Sequence, residues 1–295
     1  MRALVCRLSC LLFGLAVGLP VAAGPLSSSL GVSLSAGDDG RRDLWLDADL
    51  ALPGDARLTL GTGRSQTDDG DTAYDTRSWL VGLSSDPLAD ISHGAEYAYW
   101  GNEDTLTSRT FRLLLVINRP AWSLGLRPQY RDLGLVTSQR CRLSLRCPDK
   151  VHVHSPGLAL DAGYYLGEWG FTAAYAVHDY DRDVSTLAGE TLQANALLRR
   201  VVTYYFATPT LDMATSFEDH RFGLGVQRYL GDALLALDAS RSVSSVDGAV
   251  TRVLSASLSA DLAAHWALSL SAGRLQSDAV DLATLFAAAG LRWRW

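Results

Sequence analysis

The chain has 295 residues, a net charge of −6 at pH 7 and 48% hydrophobic residues. The acidic balance argues against nucleic acid as a partner, because such a surface needs an excess of basic residues. Lys150 is the only lysine, so nearly all of the positive charge is carried by arginine.

The first 23 residues have the pattern of a secretory signal peptide. Arg2 and Arg7 form a basic start, an apolar stretch follows at residues 11–19, and small residues at positions 21–23 form a cleavage site. We therefore expect cleavage after residue 23 and a single mature domain over residues 24–295. Beyond the signal, no apolar run approaches the roughly 20 residues that a membrane helix needs.

The mature chain is a succession of segments in which apolar residues occupy every second position. The alternation is clearest at residues 44–52, 111–117, 122–129, 169–177 and 266–273. Successive side chains of a β-strand point to opposite faces of the sheet, so each segment has one apolar face. The other face is rich in Ser, Gly, Thr and Arg. This distribution favours a barrel with an apolar outer surface over a soluble sandwich with a packed core.

The connections between these segments fall into two classes. Short connections lie at residues 53–55, 85–90, 119–121, 166–168, 230–232 and 262–265. More polar and often longer ones alternate with them, at residues 37–42, 66–74, 101–105, 132–151, 179–189, 244–249 and 276–280. Short periplasmic turns and longer outer loops are typical of antiparallel transmembrane up-and-down β-barrels.

The strand count must be even if both termini lie on one side of the membrane. Fourteen segments are clear, and residues 190–206 decide the rest. A hairpin there gives sixteen strands, which we prefer because residues 201–206 (VVTYYF) are strongly β-prone. The alternative is fourteen strands with a long loop over residues 179–219.

The outer loops suggest two further features. Cys141 and Cys147 are the only cysteines after the signal, and an exported chain meets oxidising conditions, so we expect a disulfide between them. A metal site that combines them with His152 and His154 is the alternative. Three arginines of the same loop are candidates for contact with lipopolysaccharide phosphates, namely Arg140, Arg142 and Arg146.

The polar face predicts the lining of the lumen. We expect the lumen-lining residues to include Asp47, Asp49, Arg112, Arg127, Gln129, Arg131, Arg292 and Arg294. Ser92 and His93 are adjacent on one strand and point to opposite faces, so they cannot form a catalytic dyad. We predict no catalytic residues, no metal and no cofactor.

The chain ends on the amphipathic segment AAAGLRWRW, residues 287–295. Leu291, Trp293 and Trp295 share its apolar face. This ending resembles the last strand of Gram-negative outer-membrane β-barrels, in which a closing aromatic is recognised by the barrel-assembly machinery. The resemblance implies an outer-membrane location, with membrane lipid, lipopolysaccharide and that machinery as partners.

A barrel of fourteen to sixteen strands is too wide for side chains alone to fill. We therefore expect a porin-like channel for small hydrophilic solutes, or a pore that exports polysaccharide with separate periplasmic partners. The alternatives are a barrel enzyme that acts on lipid or surface glycan and a structural or adhesive surface barrel.

Overall fold

The computed structural model describes residues 27–68, 73–103, 106–135, 151–182, 217–278 and 282–295. Within these ranges the chain forms fourteen antiparallel strands. They are β1 (Ser29–Gly37), β2 (Arg42–Leu52), β3 (Ala56–Asp68), β4 (Ala73–Ser85), β5 (Ile91–Asn102), β6 (Leu106–Arg119), β7 (Trp122–Leu135), β8 (Val151–Leu166), β9 (Trp169–His178), β10 (Glu218–Leu230), β11 (Ala233–Ser244), β12 (Val250–Ala263), β13 (Trp266–Ser277) and β14 (Leu282–Arg294). Each strand pairs with its neighbours in sequence, and β1 pairs with β14, so the sheet closes into a barrel.

The preferred count of sixteen strands is wrong, and the alternative of fourteen is confirmed. Strand β9 pairs directly with β10, from Val177 opposite His220 to Trp169 opposite Arg228. The wall therefore closes with no hairpin from residues 190–206, which lie outside the described residues. Strand propensity measures how well a segment fits a pleated surface, and it does not assign that segment a place in the wall.

The barrel is apolar on the outside. Large hydrophobic side chains stand exposed on its outer face, for example Leu34 (59%) and Leu254 (63%). A water-soluble protein would bury such residues, whereas the wall of a transmembrane barrel turns them toward lipid. Of the residues that the structure describes, none belongs to a helix long and apolar enough to cross a membrane.

The two ends of the barrel differ. The start of β1 at Ser29, the C-terminus and the short turns lie at one end, which we call the inner end, and the longer connections join strands at the outer end. Gly167 and Gly231 open two of the short turns with φ of 58° and 63°. Glycine adopts this left-handed conformation without strain, which permits hairpins of two connecting residues.

Aromatic residues surround the inner end on the lipid-facing side. Trp293 stacks on Trp295 at 4.6 Å between ring centroids and approaches Trp266 at 6.5 Å. The guanidinium of Arg228 lies 5.1 Å from the ring centre of Trp169. Amphipathic rings of this kind settle at a membrane interface, so they mark the inner boundary of the apolar belt.

Candidate functional site

The candidate site is the lumen, and the strand register defines which residues face it. Asp47 on β2 lies opposite Gly31 on β1 and Gly61 on β3, so all three share the face opposite the exposed leucines. The same rule, applied around the barrel, places all eight predicted lumen residues on this face. Their role in lining a channel stays a prediction, and the structure shows how they group.

The first group connects the last strand of the barrel to the first two strands. Arg292 on β14 donates to Asp47 at 2.5 Å, to Asp49 at 3.0 Å and to the Ser29 hydroxyl at 2.8 Å. Gly31 on the intervening strand leaves room for this network, because a Cβ there would lie 2.6 Å from Asp47 Oδ1. The bridge therefore crosses β1 and ties β14 to β2.

The second group lies on β5 to β8. Arg127 binds Asp161 through two parallel hydrogen bonds of 2.8 and 2.5 Å. Arg112 donates to the Gln129 side chain at 3.3 Å and lies 3.7 Å from the Glu96 carboxylate. In both of these ion pairs the opposite charge lies on a neighbouring strand of the wall.

The third group is buried at the outer end of the lumen. Arg131 and Ser155 are almost fully buried, and His178 is 3% exposed. The Arg131 guanidinium lies 3.3 Å from His178 Nε2, and the Ser155 hydroxyl lies 3.4 Å from His178 Nδ1. Sequence analysis predicted Arg131 but not its partners, since His178 and Ser155 lie on different strands.

The Ser155–His178 pair resembles a catalytic dyad, but the histidine donates the hydrogen bond instead of accepting it. Arginine has only donors, so His178 Nε2 must accept from Arg131 and the ring proton must sit on Nδ1. That proton is donated to the Ser155 oxygen. A general base has to accept the serine proton at this atom, so the pair is set up for structure and not for nucleophilic catalysis.

The predicted residue Arg294 stands apart from these groups. Its guanidinium donates to Asp261 at 2.9 Å, and both side chains are exposed at the inner end. The His265 ring lies 2.9 Å from the Arg294 carbonyl and connects the last strand to the β12–β13 turn. Arg294 therefore belongs to the inner mouth of the lumen.

A buried layer at the outer end of the lumen was missed by sequence analysis. Every strand from β2 to β14 contributes at least one buried lumen-facing residue there. The large apolar members, which we call the outer lumen layer, are Trp45, Trp100, Leu106, Leu133, Leu135, Val153, Leu275 and Phe286. Isolated apolar residues on otherwise polar faces are the only signal of this layer in the sequence. These side chains are therefore shielded from water at the outer end of the lumen.

Residues next to the outer lumen layer are fixed by hydrogen bonds. Phe217 is fully buried, and its carbonyl accepts hydrogen bonds from the amide and hydroxyl of Ser245 at 2.7 and 2.8 Å. The Tyr180 hydroxyl donates to the Glu218 carbonyl at 2.7 Å. Burial raises the pKa of the Tyr180 phenol, so this donor keeps its proton.

The inner part of the lumen is accessible to water. The lumen-facing residues of β12 and β13 there include partly or fully exposed serines, which form a serine wall of Ser255, Ser257, Ser259, Ser269 and Ser271. Asp238 lies among them, opposite Gly225 on β10 and Ser255 on β12. Within the described ranges, no cationic side chain forms an ion pair with Asp238.

The remaining predicted residues have mixed outcomes. Leu291 and Trp293 lie on the lipid-facing side of β14, and Trp295 exchanges two backbone hydrogen bonds with Ser28 at 3.0 and 3.1 Å. Their role as an assembly signal stays a prediction. The predicted signal peptide, Cys141, Cys147 and the three arginines of their loop lie outside the described residues. Residues His152 and His154 both approach the Asp132 carboxylate on the outer surface, at 2.9 and 3.6 Å.

Comparison with known proteins supports the fold. No family model and no curated protein matches the chain. Among solved structures, the chain is similar to the CymD monoaromatic hydrocarbon channel, with a TM-score of 0.51 and 10% identity over 91% of this chain and 88% of that one. It also matches an anion-selective porin from Comamonas acidovorans (TM-score 0.48, 10% identity, 92% and 99% covered) and the KdgM porin (0.44, 7%, 90% and 99%). The match with the CymD channel supports the fold, a closed antiparallel β-barrel.

Proposed function

We propose that the chain is an outer-membrane channel for small hydrophilic solutes. Three features support the location: the apolar outer surface, the aromatic residues at its inner boundary, and the alternation of short turns with longer connections. In this arrangement the inner end faces the periplasm and the outer end faces the cell exterior.

The water-accessible inner lumen is the observation that carries the proposal. Its polar wall offers hydroxyl groups and paired charges, which replace part of the hydration of a polar solute without holding it tightly. An apolar solute would find no continuous apolar path along the serine wall. The composition of the inner lumen therefore favours hydrophilic cargo.

The outer lumen layer sets the size limit in this proposal. Its side chains are packed, so only a narrow path at the outer end is compatible with passage. Export of a polysaccharide chain needs a wide opening along the whole axis. The packed outer end consequently favours small solutes over polysaccharide.

A liposome-swelling assay with neutral sugars of increasing size tests this proposal. Liposomes that contain the refolded protein should swell in monosaccharide solution and should not swell in a solution of a large oligosaccharide. Liposomes with heat-denatured protein are the control. Absence of swelling with every solute, in a sample whose gel mobility shows a folded barrel, would exclude the channel.

A further inference from the structure

Three arginines face outward on neighbouring strands near the outer end of the barrel. Arg241 on β11 lies directly opposite Arg252 on β12, and Arg274 on β13 lies opposite Leu254, one outward position further in on β12. All three lie within three residues of the outer ends of their strands. Their side chains are exposed on the lipid-facing side of the wall.

This arrangement concentrates positive charge. Like charges directly opposite each other in a sheet are destabilising. Arg252 has one carboxylate partner, Asp278, at 3.1 Å. Over the ranges that the structure describes, Arg241 and Arg274 form no ion pair, so the group keeps an excess of positive charge.

Several other outward-facing arginines have a carboxylate partner. Arg119 lies 3.4 Å from Asp90, and Arg228 lies 3.5 Å from Glu168, both at the inner end. Arg64 at the outer end is held by Asp75 at 2.6 Å. Arg77 on β4 lies directly opposite Arg64 and forms no ion pair among the described residues, so outward arginines without a carboxylate partner are not confined to β11 to β13. What distinguishes Arg241, Arg252 and Arg274 is the apolar surface beside them.

The arginines border an apolar depression in the wall. A groove of about 430 Å³ is lined by them together with Leu224, Ala239 and Leu254. Ala239 on β11 lies directly opposite Leu224 on β10 and Leu254 on β12. Because its side chain is small, the wall is recessed between the two leucines. We call this surface the cationic groove.

A second apolar groove continues from the cationic groove toward the inner end. Ala256 and Ala272 occupy the next outward positions on β12 and β13, and with Ala287 on β14 they line a groove of about 610 Å³. Leu258 and Leu270 border it. Cationic groups above a long apolar depression match a molecule with anionic head and hydrocarbon tails.

We propose that this surface binds a phosphorylated lipid of the outer leaflet, with its phosphates on Arg241, Arg252 and Arg274 and its acyl chains in the alanine-lined groove. Phosphate is the anionic group that membrane lipids present at this depth, and arginine binds it through paired, charge-assisted hydrogen bonds. In a Gram-negative outer membrane this lipid is lipopolysaccharide. The inference rests on the membrane orientation proposed above and not on conduction.

Native mass spectrometry of the refolded full chain with bisphosphorylated lipid A tests the proposal. The double variant Arg241→Gln with Arg252→Gln should bind lipid A at least about tenfold more weakly, because two charge-assisted contacts are lost. The matched control is Arg119→Gln with Arg228→Gln, which removes two outward-facing arginines at the other end and should leave binding unchanged.

A second arm uses lipid A from which both phosphates have been removed. It should bind the wild-type protein about as weakly as bisphosphorylated lipid A binds the double variant. Equal binding of both lipids by the wild-type protein, or unchanged binding by the double variant, would overturn the proposal. A change of oligomeric state in the double variant would overturn it as well, since the surface would then join copies of this chain. Heat-modifiable gel mobility confirms that each variant is folded, and a silent barrel in a conductance assay does not affect these outcomes.

Discussion

Arg292 and Asp47 form a 2.5 Å ion pair across the seam of the barrel, although 245 positions separate them in the chain. Arg292 lies on the last strand and Asp47 on the second, and Gly31 on β1 lies between them. The pair therefore supports the closure of the first strand against the last, in addition to the backbone ladder.

Replacing Arg292 with Ala should destabilise the folded barrel by about 1–3 kcal/mol, because two partly buried carboxylates lose their partner. Urea unfolding in detergent micelles, followed by tryptophan fluorescence, measures this loss. Arg294→Ala is the matched control: its ion pair with Asp261 is exposed, so the expected cost is below about 1 kcal/mol. Equal costs for the two variants would show that the seam pair has no special role.

Replacing Phe286 with Ala should widen the outer end of the lumen and raise the single-channel conductance. Phe286 is 5% exposed and packs on Leu275, and a Cβ at Gly273 would overlap its ring. We expect a stability cost of about 3–5 kcal/mol from the lost packing. Phe222→Ala on the lipid-facing side removes the same ring and should leave the conductance unchanged. A Phe286 variant that is folded and conducts like the wild type would contradict the role given to the outer lumen layer.

Replacing Asp238 with Asn should reduce the preference for cations over anions. The carboxylate lies on the water-accessible serine wall and has no cationic partner among the described residues. The interaction energy of a unit charge with an ion about 8 Å away in water is about 0.5 kcal/mol, which corresponds to about a factor of two in the permeability ratio. Reversal potentials in a salt gradient measure this ratio. Asp90→Asn, at an exposed inner turn, should have no effect, and a shift of equal size there would argue against a local action of Asp238.

Deleting Trp295 should impair assembly more than conduction. The residue contributes two backbone hydrogen bonds to the seam and a stacked ring pair with Trp293, which lies on the lipid-facing side of β14. We expect lower levels of the deletion variant in the membrane and wild-type conductance from the molecules that fold. Normal membrane levels of the variant would contradict the role of the ending.

The sequence predicted the wall of the barrel well because alternation has a direct physical cause. Each of the fourteen clear segments corresponds to a strand of the structure, although β7 continues to Leu135, into the connection expected at residues 132–151. The prediction of sixteen strands is wrong because it placed residues 201–206 in the wall on the strength of their β-propensity. That propensity is a local property, whereas a strand of the wall must pair with its neighbours, and β9 pairs directly with β10.

The contents of the lumen were predicted less well. Alternation assigns Arg292 and Asp47 to the lumen face, but only the register of three strands shows that they meet. Trp100 and Leu133 are single apolar residues at polar-face positions, and no period in the sequence reveals that both are buried at the outer end of the lumen. The cationic groove could not be predicted for the same reason, because Arg241 and Arg274 become neighbours only through the pairing of β11, β12 and β13.

The channel itself is tested most directly by recording current through planar lipid bilayers that contain the refolded protein. The account predicts discrete single-channel steps of small and uniform size, because a water-accessible inner lumen leads to a packed outer layer. Bilayers that stay silent would contradict it, provided that gel mobility shows that the inserted protein is a folded barrel.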